Sequence, residues 1–336
     1  MIAYIVRRLM VGVALLVVMS FVTFALFFAG ADPAKFTCGK NCTPELIEQN
    51  RKALGYDKPW PAQWGDFMKG LVAGREYPND EALRKAAPQN VVECSAPCLG
   101  YSPLQTATVW DSIKPKIPVS ASLAIAAFVM WITMGLLGGI IAALRKGTII
   151  DRGLVGISLV FYAFPTFFIG LFLYIFLALK WQIVGVPSYA PLVDGFVPWV
   201  KGLFLPALTL ALFYAAGYVR LTRAFVLESM GEDYIRTAKA KGLHPTRILL
   251  KHTMRAALTP IATIAGLDLA GLLGGAIITE QVFNYDGLGK LAVLSAAVYD
   301  LPVQLGLVLL LAGFVILANI IVDVLYAVID PRVKLS

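Results

Sequence analysis

The side chains able to do chemistry are few. Four cysteines, Cys38, Cys42, Cys94 and Cys98, form two C-x3-C pairs, CGKNC and CSAPC, in one segment between apolar runs. In an oxidising setting outside a membrane they become two disulfides, with three connectivities open. Gly39 and Pro97 allow tight turns, which favours two local rings. The rival is a four-thiolate zinc site, although metal-binding pairs more often sit two residues apart. His244 and His252 lie in one basic loop and read as lone surface or groove residues. GLGK at Gly287–Lys290 lacks the spacing of a phosphate-binding loop, and neither H-E-x-x-H nor G-x-S-x-G occurs. An enzyme inside a membrane would need a nucleophile, base or metal cluster at depth. The sequence shows none, so no catalytic, cofactor or metal residue is expected.

The elements that would carry these residues are set by composition. Hydrophobic residues make up 58% and charged residues 15% of the 336, and the mean hydropathy is +0.74, beyond the balance of a soluble domain. Apolar runs fall at about Leu9–Gly30, Pro118–Leu144, Gly153–Leu179, Phe204–Val219, Ile261–Val282 and Val303–Val328. Each approaches or exceeds the ~20 residues that cross a bilayer, Phe204–Val219 only by borrowing its flanks. The expectation is an all-α membrane protein of six transmembrane helices. Arg7 and Arg8 precede the first run as in a signal peptide, but its apolar core is too long, so it reads as a retained anchor.

Lys and Arg in the short loops fix the orientation. With the N-terminus inside, Arg145, Lys146, Arg152, the bases from Arg220 to Arg255, Arg332 and Lys334 are cytoplasmic, against Lys180, Lys201 and Lys290 outside. The net charge of +8 then reflects topology, and nucleic-acid binding is the minor reading. The chain divides into residues 1–30 (N-terminal end and first helix), 31–117 (a long extracellular segment with the cysteines), 118–328 (the core, with a cytoplasmic loop at 224–259) and a cytoplasmic tail, 329–336.

Polar groups at membrane depth are costly and each invites a functional reading. Asp268, about two turns into the fifth helix, is a candidate for a water-lined path, as is Glu280 near that helix's outer end. Asn319 and Asp323, at i and i+4 on the sixth, read as structural. Gly135 and Gly139 form a small-residue face for close helix approach, with Gly266, Gly271, Gly274 and Gly275 doing the same on the fifth. Pro165, in FYAFPTFFIG, should kink or break the third helix.

One charged block interrupts this pattern, EDYIRTAKAKGLHPTRILLKHTMRAALTP from Glu232 to Pro260. Glu232 and Asp233 stand at one end of a short helical run, Lys239 and Lys241 at the other, and Gly242 follows: acids first, bases last, then a stop. His244 and Pro245 open a second helix. Tyr234, Ala238 and Lys241 share one face, and Ile235 pairs with Ala238. A helix of about ten residues is marginal alone, so it needs a partner surface. The bland alternative is a solvated basic loop.

The block also carries a resemblance. An Ala, three residues and a Gly between transmembrane helices resembles the EAA loop of ABC importer permeases, and YIRTAKAKGL is similar to the coupling loop of the dipeptide/oligopeptide permease family. Arg236 stands where that family has Glu, so a role needing the acid is not carried over. LGYDKPWPAQWGDFMKGL, ITEQVFNYDGLGKL and VDVLYAVIDPR resemble further strings of the family, whereas residues 74–102 look longer than its usual connection.

The resemblance implies a type I ABC importer permease fold with a long extracellular insertion after the first helix, in a bacterial inner membrane with both termini cytoplasmic. It implies a permease subunit that is no enzyme, forming half of a translocation pathway for a peptide. Glu232, Asp233, Tyr234, Ile235, Arg236, Thr237, Ala238, Lys241, Gly242 and Leu243 would couple it to ATPase subunits. Partners would be a second homologous permease, two cytoplasmic ATP-binding subunits or domains holding ATP and Mg, an extracellular solute-binding protein, and membrane lipid. Family members carry dipeptides, oligopeptides, nickel or sugars on similar strings. The other function classes are an ion-coupled carrier, which should show paired broken helices with ionisable residues at the midplane, and a non-transporting membrane scaffold.

Overall fold

Long apolar runs leave the backbone no hydrogen-bond partner but itself, and helix is the outcome. The computed structural model describes residues 2–30, 32–37, 43–273 and 276–329. Helix α1 spans Ile2–Gly30. Short elements follow: α2 (Pro44–Leu54), α3 (Trp60–Ala73), α4 (Glu81–Ala86) and α5 (Val109–Ile113). Among them lie two antiparallel ribbons, β1 (Arg75–Tyr77) with β2 (Val92–Cys94) and β3 (Tyr101–Ser102) with β4 (Ala107–Thr108). Next come α6 (Ile117–Leu144), α7 (Ile149–Ala163), α8 (Thr166–Leu173), which runs on as a π-helix to Lys180, α9 (Phe196–Gly231) and α10 (Asp233–Ala240). The turn α11 (Pro245–Arg247) passes through a π-helical stretch into α12 (Met254–Leu273), followed by α13 (Ile277–Val282), α14 (Leu288–Ala297) and α15 (Leu301–Ile329).

Among the described residues four helices are long and apolar enough to cross a membrane, within Val6–Phe27, Val109–Leu144, Phe196–Gly231 and Leu301–Ile321. A fifth span results if Ile149–Ala163 and Thr166–Lys180, bent by 102°, are one broken crossing. The sequence predicts six. The difference lies in Ile261–Val282, which is divided between α12 and α13, with residues 274 and 275 outside the described ones. The run at Phe204–Val219 does borrow its flanks, since α9 is 36 residues long and accommodates Pro206. The break at Pro165 is as expected: Phe164 is extended (φ −89°, ψ 137°), the conformation imposed on a residue preceding proline.

The chain forms two compact units. One is built mainly from Val119–Tyr285. Its core holds Leu123, Trp131, Leu203, Leu205 and Tyr218, all 2% exposed or less. Gly135 and Gly139 let α6 lie against α9: a Cβ on Gly139 would come within 2.8 Å of the Val219 carbonyl oxygen, and one on Gly135 would collide with Tyr218. On the fifth helix Gly271 does not repeat this, because a Cβ there would meet nothing within 4 Å; Gly274 and Gly275 lie outside the described residues. The Asp323 side chain, read with Asn319 as structural, is also outside them.

The other unit comprises Val6–Pro118 and Asp286–Phe314. Leu99, Val109, Ile113, Leu288, Leu291 and Val303 form one core, and Phe24 packs with Phe67, Leu305 and Leu309 in another.

Candidate functional site

The charged block folds into a short helix fixed at both ends. Glu232 is extended (φ −67°, ψ 148°), so α9 stops at Gly231 and the chain restarts as α10, with Asp233 in its first turn and Lys239 in its last. Ile235 is fully buried and Ala238 nearly so; both pack on Ile248, with Leu243 at their edge. That apolar seat is what a helix of two turns needs to persist. The Ser229 hydroxyl donates to the Thr253 carbonyl (3.2 Å), which leaves Tyr234 as the donor in its 2.9 Å bond to Ser229. Through Ser229, α10 is tied to the end of α9 and to the approach to α12.

The C-terminus of α10 is a Schellman motif. The Leu243 N–H donates to the Ala238 carbonyl (3.3 Å) and the Gly242 N–H to that of Lys239 (3.0 Å). Gly242 has φ +70°, the left-handed conformation that its place after the helix predicts. His244 then caps the next turn, its Nδ1 accepting from the Thr246 N–H at 3.4 Å. Glu232, Asp233, Arg236, Thr237, Lys239 and Lys241 remain exposed on the outer side. Arg236 and Asp233, 3.4 Å apart and 76% and 94% exposed, make only a solvated pair. α10 thus has an apolar seat beneath a charged outer face.

A second arrangement in this unit escaped the sequence reading. Asp151 is 3% exposed and accepts from Arg223 through Nε (2.6 Å) and a terminal nitrogen (2.8 Å), and from the Gly147 N–H (2.8 Å). The pair joins the start of α7 to α9 two turns above the α9 terminus, about 12 Å along the axis. Its signal was present as Thr148-x-x-Asp151, an N-cap pattern whose hydroxyl accepts from the Asp151 N–H.

The two acids read as path candidates have different surroundings. Asp268, on α12, is half-buried, and one of its oxygens accepts from the Tyr218 hydroxyl at 2.6 Å. Glu280 is fully buried and accepts from the Ser120 hydroxyl at 2.6 Å, joining α13 to α6. Glu280 is thus closed off from solvent and hydrogen-bonded, as buried polar groups are.

In the other unit Cys94 and Cys98 form a disulfide, one of the two local rings expected, with Cα atoms 5.4 Å apart. Cys38 and Cys42 lie outside the described residues. Lys116 and Asp286 make an ion pair at 2.6 Å. Asp300, 1% exposed, accepts from the Ser102 hydroxyl (2.6 Å) and from Gln105 (3.2 Å). Burial holds its carboxyl above the ordinary aspartate range, outweighing those bonds.

The described residues are thus those of a helical membrane protein that carries a seated, charge-faced helix between α9 and α12. Comparison with known proteins gives the family. Residues 135–335 match the model described as binding-protein-dependent transport system inner membrane component, and residues 1–124 match the model of its N-terminal region. The chain belongs to this family. It is 31% identical over 332 residues to the probable peptide ABC transporter permease protein y4tP of Sinorhizobium fredii, covering 98% of this chain and 99% of that one. It is 32% identical over 359 residues to the dipeptide transport system permease protein DppB of Escherichia coli K12, covering 99% of each. Among solved structures, an inward-facing conformation of the MetNI methionine ABC transporter matches with a TM-score of 0.52 at 18% identity, over 65% of this chain and 96% of that one, a likeness of fold.

The chain is therefore a multi-pass inner-membrane transporter subunit and not an enzyme, and its family works with a solute-binding protein and separate ATPase subunits. Residues 74–102, which the sequence sets apart as an insertion, fall inside the N-terminal family model.

Proposed function

We propose that this chain is one half of the translocation pathway of a peptide importer. It pairs with a second homologous permease, receives peptide from an extracellular solute-binding protein, and is driven by two cytoplasmic ATP-binding subunits or domains that hold ATP and Mg. Both termini lie in the cytoplasm, the segment 31–117 forms part of the outer mouth, and the loop at 224–259 faces the ATPases. The peptide cargo is supported by near full-length likeness to permeases described as peptide and dipeptide transporters.

The observation that carries the coupling role is the mounting of α10. Ile235 and Ala238 hold it to Ile248, Tyr234 ties it to Ser229, and its charged side is left free. A helix so held moves as a body with the end of α9 and the start of α12, which is what transmission between two sites requires. Asp268 faces the path on the same reading. The test is purification of the tagged chain from its membrane followed by reconstitution. A second permease and ATP-binding proteins should come out with it, and vesicles holding the set should take up peptide only with ATP and binding protein. A chain recovered alone that moves peptide down an ion gradient would contradict the proposal.

A further inference from the structure

Among the described residues the unit built mainly from Val119–Tyr285 holds three acidic side chains that are not exposed, and two of them are satisfied. Asp151 is neutralised by Arg223, and Glu280 is sealed in with Ser120. Asp268 differs. It is half-open, no Lys or Arg among the described residues pairs with it, and Tyr218 supplies one donor to one of its two oxygens. A carboxylate there without a countercharge is expensive, so it faces water or awaits a cation.

Its surroundings select the cation. Tyr218, which holds the carboxylate, is 2% exposed and lies 6.3 Å, centroid to centroid, from the fully buried Trp131. Trp131 is clamped between Phe128, edge-on at 5.0 Å, and Tyr214, stacked at 4.7 Å. Tyr214 stays half-buried and lies within electrostatic reach of Asp268, so one ring of this rigid set is open near the acid. One carboxylate next to aromatic rings suits an organic ammonium, attracted by the charge and the ring faces together. It does not suit a divalent metal, and no group of three metal-ligating side chains occurs among the described residues.

We propose that Asp268, oriented by Tyr218 and with the half-buried Tyr214 near it, is a subsite that takes the ammonium group of a peptide crossing the membrane. The proposal rests on the peptide-importer reading above and adds a selectivity within the permease, separate from that of the binding protein. Tyr218 is the positioning residue: its donated bond fixes one carboxylate oxygen and leaves the other for the incoming N–H groups.

The test removes the external filter. The assembled complex, in detergent and without binding protein, is titrated calorimetrically with dialanine and with N-acetyl-dialanine. Wild type should bind dialanine at least tenfold more tightly; Asp268→Asn should abolish that difference, and Asp268→Glu should keep most of it. Tyr218→Phe should narrow it. N-acetyl-alanyl-lysine distinguishes the ammonium's source: binding like dialanine admits a side-chain ammonium, binding like the blocked peptide restricts the subsite to the α-ammonium, and both outcomes support it. Equal binding of the two dialanines by wild type, binding of neither, or a difference that survives Asp268→Asn overturns it. The wild-type comparison stands even if a variant fails to assemble. Uptake by the complete system is scored in parallel. A complex that imports peptide without ammonium preference refutes the subsite alone, whereas one that imports no peptide refutes the reading beneath it.

Discussion

Removing one partner of the Asp151–Arg223 pair should destabilise the permease far more than removing both. The carboxylate has three donors in the structure, two of them from Arg223 at 2.6 and 2.8 Å. The Asp151 side chain is 5% exposed and that of Arg223 28%. Breaking a fully buried pair costs about 3–5 kcal/mol, and the partial exposure of the guanidinium lowers this to about 2–3 kcal/mol. Arg223→Met leaves Asp151 with the local Gly147 N–H as its one remaining donor, so it should incur most of that cost. Asp151→Asn keeps an acceptor and should lose less. The assay is equilibrium unfolding of the purified permease in micelles for wild type, each single variant and the double variant. The cycle should return a coupling energy of about 2 kcal/mol, since residues in direct contact do not add. Additive effects, with a coupling below about 0.5 kcal/mol, would show that the two groups do not act as a pair and refute the argument from geometry.

Other expectations follow from single contacts. Gly139→Ala should lower the yield of folded permease, at a cost of about 1–3 kcal/mol, because the new methyl meets the Val219 carbonyl, while Gly153→Ala, which meets nothing within 4 Å, should not; detergent thermostability reads both. The raised pKa of Asp300 means that its folded form keeps its proton to higher pH than the unfolded chain does, which titrates near 4. Its contribution to stability is then full below about pH 4 and is lost as pH rises through the raised value. Thermal unfolding of Asp300→Asn against wild type across this range should show the wild type losing ground as pH rises, and parallel curves would refute it. Mass mapping without reduction should find Cys94 and Cys98 joined; opening this five-residue ring should cost about 2 kcal/mol.

How much the sequence revealed depended on whether a feature was local. The stop at Gly242, the break at Pro165 and the ring of Cys94 and Cys98 each depend on a few adjacent residues, so periodicity and backbone preference reached them. Gly135 and Gly139 were legible as a small-residue face, but their partners, Tyr218 and Thr222, could not be read from spacing. The surroundings of Glu280 were hidden for the same reason: it bonds to Ser120, 160 residues away. Arg223 was counted as a basic residue of a cytoplasmic loop, and only the fold shows it paired with Asp151. The division of Ile261–Val282 into two helices was hidden because a hydropathy count does not register where a helix stops.

The central claim is that α10 passes ATPase work to the membrane helices, and the direct measurement is binding-protein-stimulated ATP hydrolysis by the reconstituted complex carrying Gly242→Val. A Cβ at Gly242 would meet nothing within 4 Å, so the substitution acts through the backbone alone, where φ +70° costs an ordinary L-residue about 1–2 kcal/mol and a β-branched one more. The account predicts that the complex inserts, that stimulated hydrolysis and peptide uptake are lost together, and that Gly242→Asn, which tolerates the left-handed conformation, retains both. Hydrolysis and uptake at wild-type levels in Gly242→Val would contradict it and return the loop to a solvated connection.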